Sequence, residues 1–364
     1  MHEWAALENF RREGILAPRY EFIDVTINGK HNGIYALEEN FSKELIESQG
    51  RREGIILKYD VDPFWYQLVN WIYDPTAPDR PRLPHYPEFF ILQPRNWLNL
   101  EIDAFQGSKV AKNEQLSRER DAAIGLFDAF RKEKKKAAEV FDIPILAKYL
   151  AIAHLWGGEH GVSWRNIRFY YNPIINKLEP IAYDLMCGVW DELAETNAKG
   201  QPSIEFPYGD FDWLVLALQD KTLAELYVKQ ALRVSSPAYL TDLREKIKKD
   251  LSRQELILWR EKPETIYWEK IEHNQNLFRN VLNPSQTISV YMNPEAIKDE
   301  GTDNYYAEIT VENLLTLPVE ILGFKINNGS LIPFSKKMLS SELKKSTDGQ
   351  SNKFVLEAVD PSEG

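Results

Sequence analysis

The sequence predicts an α+β protein in which a large mixed domain precedes a small all-β, sandwich-like domain. Three observations support this fold class: strand-turn-strand patterns at residues 20–39 and 166–183, helical patterns between and after them, and β segments beyond residue 285. At 364 residues the chain also exceeds what one hydrophobic core usually spans. We therefore expect domains at residues 1–284 and 285–364.

The first predicted elements are a hairpin and a short helix. In residues 20–39, YEFIDVTINGKHNGIYALEE, apolar residues alternate before Asn28-Gly29, a dipeptide typical of two-residue turns. Asn40 is the predicted cap of the helix, and Gly50 is its predicted end. The order of elements is thus hairpin, then helix.

A strand and a long insertion follow. Residues 54–59, GIILKY, form a compact apolar run with one charged residue, Lys58. A lysine in such a strand needs a solvent-facing side or a counter-charge, so an edge-strand lysine and a phosphate ligand are both compatible with the pattern. Residues 60–107 are rich in proline and aromatic residues, and we predict an ordered insertion packed by its own side chains.

The middle of the chain is predicted to be helical. One helix spans about residues 116–138, and Asp142 caps a second helix that Gly157-Gly158 ends. Further helices are predicted over about residues 211–282.

The second hairpin brings two oxygen-bearing side chains together. If Tyr171 pairs with Lys177, Asn166 lies opposite about residue 182, and Asp184 follows at the same end. An Asn carbonyl and an Asp carboxylate are hard ligands suited to Mg²⁺, which completes its shell with water and phosphates. Protein kinases place a metal-binding Asn and Asp in this order.

Composition limits the possible partners. The formal charge of −11 argues against a nucleic-acid partner, and the basic run RKEKKK at 131–136 is interpreted as a solvated helix face. Cys187 is the only cysteine, which excludes an internal disulfide. We expect no membrane-spanning segment, and Met1 is followed by polar residues instead of a signal peptide.

Two segments, EFIDVTINGKHNGIYALEENF at 21–41 and NIRFYYNPIINKLEPIAYDL at 166–185, resemble the best-marked blocks of the CotH (spore coat protein H) kinase-like family. The resemblance covers roughly residues 1–282. It implies an atypical protein-kinase fold with an N-lobe of about 1–107 and a C-lobe of about 108–284. It also implies ATP and a divalent metal, Mg²⁺ or Mn²⁺, as cofactors, and phosphorylation of Ser or Thr in protein substrates such as spore coat components.

The resemblance also implies roles for individual residues. Glu39 matches the family glutamate that follows the tyrosine, and Lys58 matches the lysine of the next strand. Asn166 matches the loop asparagine, and Asp184 the first acid of a W-D-x-D motif. Lys58, partnered by Glu39, is thus expected on phosphates, with Asn166 and Asp184 on the metal.

Two features depart from the family pattern. Met186 replaces the second acid of W-D-x-D, and the catalytic-loop aspartate is missing from AHLWGGEHGVSWRN at 153–166. Glu159 and His160 are the nearest groups able to accept a proton, and His160 ranks first because its ordinary pKa is nearer neutrality. Two hypotheses follow: an active kinase, or a pseudokinase or scaffold of a surface or coat assembly. Bacterial cytoplasm, spore coat and cell surface are the locations that the resemblance allows.

Other site types have weaker support. His154 and His160 lack the i, i+4 helical spacing of a zinc protease, and no P-loop, dinucleotide or G-x-S-x-G motif occurs. Ten tryptophans and many carboxylates leave a carbohydrate cleft, with Asp184 and Glu192 as its acids, as a third hypothesis.

Overall fold

The computed structural model shows helices and antiparallel strands, the content of an α+β fold. The described residues up to Leu282 form one compact unit, and those from Asn283 onward form a second. The structure describes the following residues: 1–62, 98, 100–187, 212–283, 286–292, 297–298, 305–314, 319–325, 329–330, 332–339 and 352–357.

The described residues of the larger unit form eleven helices and six strands. The helices are α1 His2–Arg12, α2 Lys43–Glu47, α3 Gly107–Lys112, α4 Glu114–Arg131, α5 Ala137–Val140, α6 Ile143–Leu155, α7 Glu159–Val162, α8 Asp212–Ala217, α9 Lys221–Val234, α10 Pro237–Leu258 and α11 Trp268–Leu282. The strands are β1 Tyr20–Ile27, β2 Lys30–Glu38, β3 Ile56–Tyr59, β4 Ile102–Ala104, β5 Arg168–Asn172 and β6 Lys177–Ile181.

The first hairpin has the predicted turn. Asn28 and Gly29 both have left-handed backbone angles, with φ of 52° and 76°, as a two-residue turn of this hand requires. Strands β1 and β2 form a two-stranded sheet of their own. The predicted cap of the next helix is wrong: Asn40 accepts a hydrogen bond from the Phe41 amide, and α2 begins only after Ser42.

A four-stranded antiparallel sheet lies at the centre of the larger unit, in the order β4-β3-β5-β6. Its strands come from both sides of the predicted lobe boundary at residue 107, so that boundary does not separate two sheets. The predicted register of the second hairpin is wrong by one residue. Tyr171 pairs with Leu178, because the turn holds four residues between Asn172 and Lys177, which pair with each other.

The helix predicted over about residues 116–138 starts close to its predicted position and ends early, whereas the helix capped by Asp142 and the helices predicted over about 211–282 keep their predicted limits. Helix α4 stops at Arg131, and Glu133 is left-handed with φ of 55°, so most of the basic run 131–136 lies beyond the helix. Within this run Lys132 pairs with Asp128 at 3.1 Å, which partly neutralises it. Most of the predicted insertion, residues 63–97, lies outside the described residues. Its last part forms β4 and is followed by α3.

Helix α6 is the core of the larger unit. Asp142 caps it as predicted, accepting a hydrogen bond from the Ile145 amide at 3.3 Å. It packs against α1, α9, α11 and β6, and ten of its thirteen residues are buried. A helix that is apolar on all sides belongs at the centre of a protein. Gly157, with φ of 60°, lies just beyond its end. The loop that carries Glu159 and His160, the candidate proton acceptors, therefore starts at the end of a buried helix.

The smaller unit is rich in strands. They are β7 Ile288–Met292, β8 Ile297–Lys298, β9 Tyr305–Asn313, β10 Val319–Phe324, β11 Ile332–Leu339 and β12 Asn352–Glu357. Strands β12, β9 and β7 form one sheet with β8 paired to β9, and β10 pairs with β11 in another. A sandwich-like packing of the two sheets stays a prediction. Within the described ranges, no helix has the length and apolar character needed to cross a membrane.

Candidate phosphate and metal site

The loop after α6 packs directly on the segment after β6, and two glycines make this contact possible. A Cβ atom at Gly161 would lie 2.5 Å from the Tyr183 carbonyl oxygen, and one at Gly158 would lie 3.0 Å from a Leu185 methyl group. Real Cβ atoms do not approach a backbone oxygen so closely, so the two segments can meet only where side chains are absent. This contact sets the positions of His160 and Asp184.

Asp184 faces the His160 ring. His160 Nε2 lies 3.3 Å from Asp184 Oδ2, and the backbone of Asp184 is left-handed with φ of 47°. The hydrogen bond from His160 holds the pKa of Asp184 below its usual value, and the charge of Arg168 acts in the same direction. Asp184 is therefore a carboxylate at neutral pH. His160 is 41% exposed, so this imidazole is accessible to solvent.

Asn166 contacts the same histidine from the other side of the loop. Its Nδ2 donates to the His160 backbone carbonyl at 3.3 Å. His160 thus links the two predicted metal ligands, Asn166 through its backbone and Asp184 through its ring. These bonds involve Asn166 Nδ2 and Asp184 Oδ2, and each side chain has a second atom, Oδ1, that can coordinate a cation.

The donor set fits a magnesium-type ion better than a zinc-type ion. In the described part of the chain, no three His, Cys, Asp or Glu side chains are grouped to hold a metal. Zinc sites usually need three or four such ligands, whereas Mg²⁺ is commonly held by one or two oxygen ligands together with substrate phosphates and water. Asn166 and Asp184 each have an oxygen atom of the kind that such magnesium sites use.

Glu159, the other candidate base, turns away from the surface. It is 9% exposed, and burial raises the pKa of its carboxyl to about 8. A carboxyl that stays protonated at neutral pH is a poor proton acceptor. Its burial therefore favours His160 over Glu159 as the base.

Lys58 does not have the partner predicted for it. Glu39 instead pairs with Arg19, whose Nη2 lies 2.5 Å from Glu39 Oε1 and whose backbone amide donates to Oε2 at 3.1 Å. The Lys58 ammonium lies 5.5 Å from the centre of the Phe105 ring. Among the described residues no carboxylate is within salt-bridge distance of Lys58. The predicted Lys58–Glu39 ion pair is wrong. Glu39 follows β2 and Arg19 precedes β1, so the antiparallel pairing of the two strands places Glu39 beside Arg19 at the base of the first hairpin.

Arg168 belongs to the same site, although the sequence analysis did not identify it. Its guanidinium carbon lies 5.7 Å from the ring centres of both Phe105 and Tyr183, and the side chain is 9% exposed. Phe105 therefore contacts both cations, Arg168 and Lys58. The signal in the sequence is a lone charge in the apolar strand NIRFYY, as in GIILKY.

Two further carboxylates border Asp184. Glu3 of α1 accepts a hydrogen bond from the Leu185 amide at 2.9 Å and so holds the segment just after Asp184. Burial, and then the negative charge of Asp184, raise the pKa of Glu3. Burial also raises the pKa of Glu38, and Glu3 and Asp184 raise it further. The site thus has a negative side around Asp184 and a positive side at Lys58 and Arg168.

Of the two other predicted sites, the histidine pair lies within the described residues and the carbohydrate cleft lies partly outside them. His154 is buried, its Nδ1 lies 2.7 Å from the Tyr227 hydroxyl, and burial lowers its pKa to about 3. It is therefore a core residue, in accordance with the rejection of a zinc protease. Glu192, the second acid of the carbohydrate hypothesis, lies outside the described residues.

Comparison with known proteins gives one family. The model of a family described as CotH kinase protein matches residues 1–248, about two thirds of the chain. The match includes both sequence blocks and every residue of the site above, and it ends within α10, earlier than the expected residue 282. The comparison with curated proteins returned no match.

Proposed function

This chain belongs to the CotH kinase protein family, and on that premise we propose that it transfers the γ-phosphoryl group of ATP to Ser or Thr of a protein. One observation carries the proposal. Strands β3 and β5, more than a hundred residues apart in sequence, pair in the central sheet and bring Lys58 and Arg168 to one aromatic ring, and the charge of Arg168 also acts on Asp184, which faces the His160 imidazole. Such groups suit phosphoryl transfer, because its catalysis consists mainly of positioning and of compensating phosphate charge.

Asn166 and Asp184 are the residues that would hold a divalent metal, through oxygen atoms. Bound there, Mg²⁺ or Mn²⁺ would supply positive charge that compensates the negative charge of the phosphates during transfer. The negative charges of Asp184 and Glu38 favour a cation at this side of the site.

His160 is the proposed general base. A hydrogen bond from Nε2–H to Asp184 Oδ2 sets the tautomer in which Nδ1 has a free lone pair. Nδ1 would then accept the proton of the substrate hydroxyl as its oxygen bonds to the γ-phosphorus, while the bond from that phosphorus to the bridging oxygen breaks and ADP leaves. Lys58 would hold the phosphates during transfer, since it has an ammonium group without a carboxylate partner among the described residues.

The second candidate is a nucleotide-binding pseudokinase or scaffold of a surface or coat assembly. Two features favour it: Met186 stands in place of the second acid and is 62% exposed, and Glu159 is buried and protonated. This candidate shares the binding site and differs only in turnover.

The test measures thermal stabilisation by ATP with Mg²⁺ or Mn²⁺, and phosphate transfer to a Ser- or Thr-containing protein, in the wild type and in Asp184→Asn. At a ligand concentration 100 times Kd, we expect stabilisation of about 2.7 kcal/mol in the wild type. The metal-dependent part should disappear in Asp184→Asn, which keeps the shape of the side chain. Stabilisation without transfer selects the pseudokinase, and absence of stabilisation refutes both candidates.

A further inference from the structure

Lys58 and Arg168 occupy neighbouring positions on one face of the central sheet. Strands β3 and β5 are antiparallel, with Ile56 opposite Tyr170 and Leu57 opposite Phe169. One further step along this register brings Lys58 opposite Arg168. Like charges directly opposite each other on a sheet destabilise it, so this placement calls for a compensating charge.

The described part of the structure does not supply that charge at close range. Neither side chain has a carboxylate within salt-bridge distance there. Asp184 acts on Arg168 only through space, and Asp103, opposite Lys58 in β4, accepts a hydrogen bond from the Ala104 amide. The two cations share an aromatic ring instead, Phe105.

The hydrogen bonds of Arg168 leave part of its guanidinium unused. Nη1 donates to the backbone carbonyls of Arg165 and Ile167, at 3.0 and 3.1 Å, which fixes the plane of the group. Nε is buried without a hydrogen-bond partner among the described residues. A buried N–H that lacks an acceptor is costly, so an acceptor from a ligand would stabilise the site.

The chemistry of the missing acceptor can be specified. The missing acceptor must carry negative charge, because it would contact two cations. It must also offer several oxygen atoms, because an ammonium and a guanidinium approach it from adjacent strands. A polyphosphate chain has these properties, and the planar guanidinium suits phosphate oxygens in a way that a lysine does not.

We propose that Arg168 is a phosphate-binding residue that, together with Lys58 across Phe105, holds the polyphosphate of the nucleotide. This inference rests on the proposed function and deepens it, since it assigns the phosphate site to a pair of residues from two strands, β3 and β5, that are more than a hundred residues apart in sequence. Arg168 and Asp184 then hold opposite sides of the same ligand, the arginine on the phosphates and the aspartate on the cation.

The test is a titration of the full chain with Mg·ATP and, separately, with inorganic tripolyphosphate, in wild type, Arg168→Met, Arg168→Lys and a control, Arg118→Met. Arg118 is 69% exposed on α4 and pairs with Glu114, so its variant removes the same charge away from the site. We expect affinity for both ligands to fall at least tenfold in Arg168→Met, the size of a lost charge-assisted hydrogen bond. The affinity of Arg168→Lys should lie between those of Arg168→Met and the wild type, because lysine keeps the positive charge and lacks the planar, two-pronged donor geometry of the guanidinium.

The outcomes separate this inference from the proposed function. Unchanged affinities in Arg168→Met and Arg168→Lys overturn the role of Arg168, while ATP binding by the wild type still supports the kinase proposal. If the wild type binds tripolyphosphate and not ATP, a drop in Arg168→Met supports the anion site without the kinase. If it binds neither, the inference is refuted. Should Arg168→Met not fold, Arg168→Lys decides, and affinity equal to that of the wild type overturns the proposal.

Discussion

Replacing Gly161 with alanine tests whether the His160 loop must lie directly on the Asp184 segment. The new Cβ would stand 2.5 Å from the Tyr183 carbonyl oxygen and 3.0 Å from a Leu185 methyl group. This carbonyl is a backbone group two residues before Leu185, whose amide donates a hydrogen bond to Glu3, so it cannot turn aside like a flexible side chain. Overpacking of this kind costs about 1–3 kcal/mol.

A matched control removes the intrinsic effect of alanine. Gly125 lies inside α4, and a Cβ there would meet nothing within 4 Å. Because alanine is preferred over glycine in helices by up to about 1 kcal/mol, Gly125→Ala should be slightly more stable than the wild type. The two variants should therefore differ by about 1–3 kcal/mol, with Gly161→Ala the less stable.

Urea unfolding followed by helical circular dichroism measures this difference, since the described helices lie in the larger unit. Phosphate transfer by Gly161→Ala should fall as well, because the loop must move away from Asp184. If Gly161→Ala matches or exceeds Gly125→Ala in stability, the close packing of the two segments is refuted.

Three other changes have defined outcomes. Burial raises the pKa of Glu159 to about 8. As pH rises from about 4.5 to 8, the free energy of unfolding of the wild type should therefore fall relative to that of Glu159→Gln, by at most a few kcal/mol. A difference in urea unfolding that does not change with pH would contradict this prediction. Glu179→Gln should lower the free energy of unfolding by about 3–5 kcal/mol in the same assay, because Arg51 would lose the charge of a buried carboxylate that lies 3.1 Å away. A loss below about 1 kcal/mol would show that water replaces this carboxylate as the partner of Arg51. His160→Gln should keep stabilisation by Mg·ATP while transfer slows about 10²- to 10⁴-fold; an unchanged rate would exclude His160 as the base.

Local turn and cap chemistry accounts for what the sequence predicted well. Asn28-Gly29 specifies its turn through two left-handed residues, and Asp142 specifies a helix start through one side-chain hydrogen bond. The same chemistry did not predict the start of α2. Asn40, the predicted cap, lies two residues too early, and α2 begins after Ser42, whose side chain makes no capping hydrogen bond.

Pairings between distant strands account for what the sequence missed. Nothing in GIILKY or NIRFYY states that β3 pairs with β5, over a hundred residues later, yet this pairing places Lys58 near Arg168. It also joins strands on both sides of the predicted lobe boundary at residue 107. The register of the second hairpin has a local origin instead, because the turn holds four residues where the predicted pairing of Tyr171 with Lys177 requires five, and this difference shifts every pair of β5 and β6.

The backbone at Met186 allows the second acid of the family motif to be restored without a cost to the fold. Met186 has φ of 50° and is 62% exposed, and aspartate and asparagine tolerate this left-handed conformation better than methionine does. Met186→Asp and Met186→Asn should therefore both match the stability of the wild type within about 0.5 kcal/mol. Only the aspartate adds a metal-binding carboxylate two residues from Asp184, so only this variant should show tighter metal-dependent binding of ATP. If both variants fold and bind Mg·ATP with the affinity of the wild type, the segment after β6 is not the metal side of the site.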